Sequence, residues 1–147
     1  MRSAVFLLLV GLFVGARPSL SQTPTPGNIP KIVQAGLDAY KTGGPDEAVR
    51  VWVRGSALEG SKDVGNCLTT LHQTQDLYGN FRGYELIGIR VVSSTSYVVY
   101  MTLDYDRGPL FAKFRVYRTG LGSILTGIVL NVDEDAVLQP PLPLPPQ

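Results

Sequence analysis

The order of hydrophobic patterns in this 147-residue chain predicts a single α+β domain. Apolar residues recur at helical spacing up to residue 78, and from residue 84 onward they alternate with a period of two. Four short alternating segments with tight turns between them predict a curved antiparallel sheet of four strands. We expect about three N-terminal helices to pack on one face of this sheet.

Three segments carry apolar residues on one helical face and have a glycine at their C-terminal end. Their predicted bounds are Asn28–Gly43, Pro45–Gly55 and Ser61–Tyr78, the last closed by Gly79. Asn28 and Ser61 are typical helix caps, because their side chains accept hydrogen bonds from amides of the first turn. Pro45 suits the first turn of a helix because its φ angle is already fixed.

Four segments in the second half alternate between apolar and polar residues. Their predicted bounds are Tyr84–Val92, Ser96–Tyr105, Leu110–Arg118 and Ser123–Val132. The Asp106-Arg107-Gly108 turn joins the second and third strands, and we expect Gly108 to take a positive φ there. One face of the sheet is therefore predicted to pack on the helices. The other is mixed polar and aromatic, as in a surface, a pocket wall or a dimer interface.

The first 21 residues predict a signal peptide. Arg2 precedes an apolar run over residues 4–15, and small residues follow at Ser19 and Ser21. Because a membrane-spanning helix needs about 20 residues, this run favours cleavage and a secreted or periplasmic protein, with an uncleaved anchor as the alternative. Residues 22–29 are then a linker, residues 30–138 the domain, and residues 139–147 a flexible Pro-rich tail.

Charge and cysteine content exclude several classes of function. Without Arg2 and Arg17, 13 Lys and Arg residues become 11 against 12 Asp and Glu, a net charge of about −1. Such a chain lacks the dense positive field that nucleic acids require, and we expect no membrane span after cleavage. Cys67 is the single cysteine, so no intrachain disulfide forms. We expect it to be a small buried hydrophobe, with a reactive or intermolecular thiol as the alternative.

Two polar pairs are weak candidates for proton transfer. His72, the only histidine, precedes Asp76 by four residues on one helical face. At this spacing Asp76 either orients the His72 imidazole as a general base or makes an ordinary surface contact with it. Asp104 and Asp106 flank Tyr105 at a strand end, where buried carboxylates share a proton and exposed ones support a turn. No spacing of residues indicates a metal ion or a cofactor.

Aromatic and basic side chains interleave along the predicted strands, and together they are candidates for binding a small hydrophobic or anionic ligand. They are Tyr84, Tyr100, Phe111, Lys113, Arg115 and Tyr117. The same side chains would also serve as cross-strand pairs that stabilise the sheet, or as a homodimer surface.

Several short motifs resemble the nuclear-transport-factor-two-like superfamily, and more narrowly its small exported bacterial members without an assigned function. They are Gly36-Leu37-Asp38-Ala39-Tyr40, Gly43-Gly44-Pro45, Leu77-Tyr78-Gly79, Arg82-Gly83-Tyr84-Glu85, Gly108-Pro109-Leu110-Phe111 and Val116-Tyr117-Arg118-Thr119-Gly120. The resemblance covers Lys31 to about Leu138 and implies a cone-shaped roll, which ketosteroid isomerases and SnoaL-like polyketide cyclases also use. Such proteins often place a tryptophan after the final turn glycine, whereas here Ser123 follows Gly122.

These observations predict an exported, non-enzymatic domain that binds a small molecule or a protein partner at the concave face of the sheet. One alternative is an isomerase or cyclase that uses Asp104 or His72 as proton acceptor. Another is a structural or dimeric accessory protein of the cell envelope.

Overall fold

A computed structural model describes residues 28–138, so the predicted signal peptide and the Pro-rich tail lie outside the described residues. Two helices come first and four strands follow: α1 (Lys31–Val53), α2 (Lys62–Tyr78), β1 (Phe81–Val91), β2 (Ser96–Tyr105), β3 (Gly108–Thr119) and β4 (Gly122–Asn131). The strands form one antiparallel sheet in the order β1-β2-β3-β4. This confirms the predicted α+β class, and it leaves β1 and β4 as open edges.

The first two predicted helices belong to one element, α1, which kinks at Gly44. This residue has a φ of 75° and a ψ of −167°, and helical geometry resumes at Pro45. Glycine fits there because a side chain would strain a positive φ, and Pro45 is tolerated because it begins a new turn. The prediction of three helices is therefore not confirmed. The structure has two helices, and the predicted boundary is a bend inside the first.

The helix ends differ from their predicted caps. Pro30, rather than Asn28, immediately precedes α1, and Ser61 precedes α2 without making a side-chain capping hydrogen bond. Gly79 ends α2 as predicted, with a φ of 88° and an amide that donates to the Gln75 carbonyl at 2.8 Å. Neither α1 nor α2, the helices of the described range, is long and apolar enough to cross a membrane.

The helix-facing side of the sheet is filled by the hydrophobic core. Alternate residues of the two central strands are buried there, as predicted: Tyr97, Val99, Met101, Leu103 and Tyr105 of β2, and Leu110, Ala112, Phe114 and Val116 of β3. Trp52 of α1 lies at the centre, with its ring centroid 5.0 Å from that of Phe114 and its Nε1 donating to the Val33 carbonyl at 3.0 Å. A tryptophan from the helix side thus closes the core in the absence of one after Gly122.

Candidate binding surface on the outer face of the sheet

The candidate site is the side of the sheet turned away from the helices, which we call the outer face. It comprises Glu85 and Arg90 of β1, Val98, Tyr100, Thr102 and Asp104 of β2, Phe111, Lys113, Arg115 and Tyr117 of β3, and Val129 of β4. The two carboxylates lie on the rows of Thr102 and Asp104, and the three cations lie on the rows of Tyr100 and Val98. These residues share one face because side chains alternate along a strand and the register aligns the outward positions. Five of the six predicted ligand-binding residues are therefore neighbours.

Lys113 stands at the centre of the outer face. Its cross-strand partners are Tyr100 on β2 and Val129 on β4. Directly opposed residues have Cβ atoms about 5 Å apart, so an aromatic ring and an aliphatic side chain flank the lysine. On the next row in one direction Phe111 is opposite Thr102, and two rows away in the other direction Tyr117, which is 41% exposed, is opposite Ser96.

Two arginines flank Val98 in the next row across the sheet. Arg90 is opposite Val98 on one side and Arg115 on the other. Val98 points away from the helices, yet it is only 5% exposed, which we attribute to coverage by its two arginine neighbours. Arg115 in turn lies over Gly127, because a Cβ added at Gly127 would be 2.3 Å from the arginine Nε. The sheet thus holds two arginines whose Cα atoms are about two strand spacings apart, roughly 10 Å.

The three cations of the outer face have no ionic partner in the described part of the chain. Within residues 28–138, none of Arg90, Lys113 and Arg115 forms a salt bridge, and the buried Nε of Arg90 has no hydrogen-bond partner. Guanidinium groups bind carboxylates and phosphates in bidentate fashion and also stack on aromatic rings. A surface that alternates such cations with aromatic rings suits an anionic partner that also presents apolar or aromatic groups.

Tyr84 is the one predicted ligand-binding residue that lies on the other side of the sheet. It is opposite the buried Leu103 and packs at the edge of the core, where the Lys41 Nζ lies 4.9 Å from its ring centroid. The cause is a register shift between Leu86 and Gly88, which reverses the alternation along β1. The same shift turns Arg90 outward, and this residue was not among the predicted ones.

His72 does not form the predicted contact with Asp76. Its Nε2 lies 2.8 Å from the Asp46 Oδ2 of α1, and both side chains are largely exposed, at 51% and 72%. The pair joins α1 to α2 on the helical side of the protein. An exposed pair of this kind contributes about 0–1 kcal/mol to stability, and its geometry is that of a surface contact.

Asp104 and Asp106 serve different parts of the structure. Asp104 lies on the outward side of β2, opposite Pro109, whereas the Asp106 Oδ2 accepts a hydrogen bond from the Asn80 amide at 2.8 Å. The Asp106 Oδ1 accepts a hydrogen bond from the Arg82 Nε. The Asn80 amide, and next the Arg82 side chain, hold the pKa of Asp106 below its usual value. Asp106 therefore joins the start of β1 to the β2–β3 turn, and the two carboxylates do not form a shared site.

The hairpin turn also departs from its prediction at Gly108. Positive φ angles among the described glycines occur elsewhere, so Gly108 does not need one. An added Cβ would instead lie 3.3 Å from the Tyr78 ring, which favours glycine because of close approach rather than backbone angle.

A buried pair of hydroxyls was not foreseen from the sequence. The hydroxyl oxygens of Tyr40 and Tyr105 are 3.1 Å apart, and both rings pack edge-on against Phe81. Burial raises the pKa of both tyrosines, so they stay protonated at neutral pH. They are 3% and 6% exposed, and they bind each other inside the core.

Comparisons of the chain with protein-family models, curated proteins and solved structures find no match. Over residues 28–138, no three His, Cys, Asp or Glu side chains come close enough together to hold a metal ion. A function for this chain therefore has to be argued from the geometry and charge of the surface itself.

Proposed function

We propose that this chain is an exported, non-enzymatic binding domain whose partner is a protein segment rich in carboxylates, held on the outer face of the sheet. The carrying observation is the set of Arg90, Lys113 and Arg115, which have no salt bridge in the described range and alternate with aromatic rings. Carboxylates of the segment would form salt bridges with these cations, and its apolar side chains would contact Tyr100 and Phe111.

The shape of the surface favours a protein partner over a small ligand. Small molecules bind in concave sites that enclose most of their surface. Clefts of about 310 and 220 Å³ lie between α2 and β4, and one of about 500 Å³ lies beside Pro30 and Tyr97. None of Arg90, Lys113 and Arg115 lines these clefts. The cations thus lie outside these clefts, on a face that a macromolecule would cover more readily than a small ligand.

Charge also weighs against self-association through the outer face. A two-fold axis at Lys113 would place this residue close to Lys113 of the other copy, with Arg90 and Arg115 of both copies nearby. Like charges in contact cost several kcal/mol at an interface. An acidic partner avoids this cost.

The enzyme alternative has weaker support. Asp104 lies on the outward side of β2, whereas His72 lies on α2 and pairs with Asp46 of α1. Each was proposed as a single proton acceptor, and neither Asp104 nor His72 lines any of the three clefts described above. An enclosed active site would lie on the helix-facing side of the sheet. That side is filled by core side chains, among them the fully buried Trp52 and Phe114.

Export and the finer form of the fold belong to the same proposal. A measured mass that corresponds to a chain starting at Gln22 would support export, whereas a mass that includes Met1 and the residues after it would contradict it. The cone-shaped roll of the nuclear-transport-factor-two-like superfamily is supported by the kink in α1 and by the register shifts in the sheet, since bulges bend strands. A flat sheet in a crystal structure would refute this form.

The binding proposal is tested with a fluorescently labelled ten-residue peptide of glutamate and tyrosine, followed by anisotropy. Lys113→Glu should weaken binding by about tenfold or more, equivalent to about 1.4 kcal/mol, because it reverses the central charge. Lys62→Glu is the matched control, since it makes the same change at the exposed start of α2 and should leave the affinity within about twofold. Circular dichroism checks that both variants fold.

Two results would contradict the proposal. One is an equal loss of affinity in Lys113→Glu and Lys62→Glu, which would indicate attraction by net charge alone. The other is equal or tighter binding of a single-stranded ten-nucleotide DNA in the same assay, which would indicate a preference for phosphates.

A further inference from the structure

The two edges of the sheet are protected to different degrees. The β1 edge carries the charged residues Arg82, Glu85 and Arg90 and two register shifts. The β4 edge, with the sequence GSILTGIVLN, contains neither a charged residue nor a proline. Charges, prolines and bulges are the devices by which proteins prevent edge strands from pairing with other chains. In β4 the register shift at Thr126 is the one such device, and it leaves Gly127–Asn131 as a regular free edge.

The free part of β4 borders a groove lined by both apolar and polar side chains. Two adjoining clefts between α2 and β4 share Thr70 and Leu130 as lining residues. Leu77 and Val132 line the larger cleft and are 62% and 49% exposed. Among the described residues, the backbone of 127–130 makes no hydrogen bond to any backbone group outside β3. Unpaired amides and carbonyls beside an open groove suit the addition of a second extended strand.

We infer that β4 pairs antiparallel with β4 of a second copy, so that two copies form one continuous eight-stranded sheet. A two-fold axis at Val129 would place this residue opposite Val129 of the partner subunit. Ile128 would then be opposite Leu130 of the partner subunit.

This register is self-complementary in both shape and charge. Ile128 and Leu130 face the helices but are only partly buried, at the rim of the core. In the paired sheet their side chains stay on the helix-facing side in both copies, so the apolar stripe continues across the axis and their burial is completed. No charged residue of either β4 comes opposite another, in contrast to self-association through the outer face. The inference is independent of the proposed function, because the outer face stays open in such a dimer.

The first test places a cysteine at the predicted axis, in a Cys67→Ala background that leaves no other thiol. Two Val129→Cys chains would have Cα atoms about 4.5–5.5 Å apart, within the range that a disulfide spans. Mild oxidation should therefore cross-link them into a dimer on a non-reducing gel. Ile87→Cys is the matched control, since it is 47% exposed on the β1 edge. It should cross-link less, by a factor on the order of ten.

The second test uses the unaltered chain. Light scattering should give twice the mass of a single chain, and dilution into the monomer range should speed hydrogen exchange of amides 127–131 but not those of β2. A monomer at the highest soluble concentration would overturn the inference, as would equal cross-linking of Val129→Cys and Ile87→Cys. Lys113→Glu should remain dimeric, so the binding proposal and this inference can fail separately.

Discussion

A methyl group added at Gly36 should destabilise the protein, because it would occupy the position of the Trp52 indole. An ideal Cβ at Gly36 lies 1.9 Å from the Trp52 Nε1 and 2.1 Å from its Cδ1. The indole has nowhere to move, since Trp52 is fully buried against Phe114 and its Nε1 donates to the Val33 carbonyl. Gly36→Ala must therefore displace the ring or separate α1 from the sheet.

Three contributions determine the magnitude. Overpacking a core typically costs 1–3 kcal/mol, and a displaced indole loses its buried hydrogen bond to Val33 at a further cost of about 1–3 kcal/mol. Alanine gains about 0.5–1 kcal/mol over glycine inside a helix. We expect the free energy of unfolding to fall by about 2–4 kcal/mol, which corresponds to a midpoint lower by roughly 1–2 M urea.

Urea unfolding followed by tryptophan fluorescence measures this directly, since Trp52 is the only tryptophan in the chain. Gly65→Ala is the control, because a Cβ at Gly65 on α2 meets nothing within 4 Å. It should gain about 0.5–1 kcal/mol from helix propensity alone. If Gly36→Ala were as stable as Gly65→Ala, the close packing of α1 around Trp52 would be refuted.

Three further predictions follow from the polar groups. Asp106→Asn should be less stable than the parent at pH values above the usual carboxyl pKa near 3.8. The difference in the free energy of unfolding should vanish as acid titrates Asp106 through its lowered pKa, and urea midpoints at several pH values would show this. A constant difference down to pH 2 would contradict the prediction. Burial raises the pKa of Cys67 from 9.0 to about 12. Because the thiolate is the reactive form, a thiol reagent at pH 8 should label the folded protein about 1,000-fold more slowly than the urea-unfolded chain. Equal rates would show that the thiol is exposed. Tyr105→Phe should lower the free energy of unfolding in urea by about 1–3 kcal/mol, because the buried Tyr40 hydroxyl loses its hydrogen-bond partner. The double variant Tyr40→Phe and Tyr105→Phe should recover part of this loss. An unchanged stability of Tyr105→Phe would show that the pair adds no stability.

The sequence predicted the order of the elements and the buried side of the central strands. Alternation along β2 and β3 identified their core residues, because a period of two fixes which side chains share a face of a regular strand. The bend near Gly44 was also visible as a glycine followed by a proline. Its outcome, a kink inside one helix rather than two helices, depends on how both halves of α1 pack around Trp52.

The membership of the outer face could be predicted only in part. Tyr100, Phe111, Lys113, Arg115 and Tyr117 lie on regular strands and were grouped by simple alternation. Alternation alone would also have placed the even-numbered residues 84 and 90 of β1 on one face. The register shift in β1 separates them, and no local pattern in the sequence reveals where such a shift falls.

Local physical chemistry explains what the amino-acid sequence determined by itself. Hydrophobic period, turn glycines and the position of proline specify helices, strands and their buried sides through interactions within a few residues. Tertiary structure alone decided that Arg90 joins the outer face, that His72 pairs with Asp46, and that β4 is an unprotected edge. Each of these depends on contacts between distant segments, and such contacts are set only when the sheet and helices pack together.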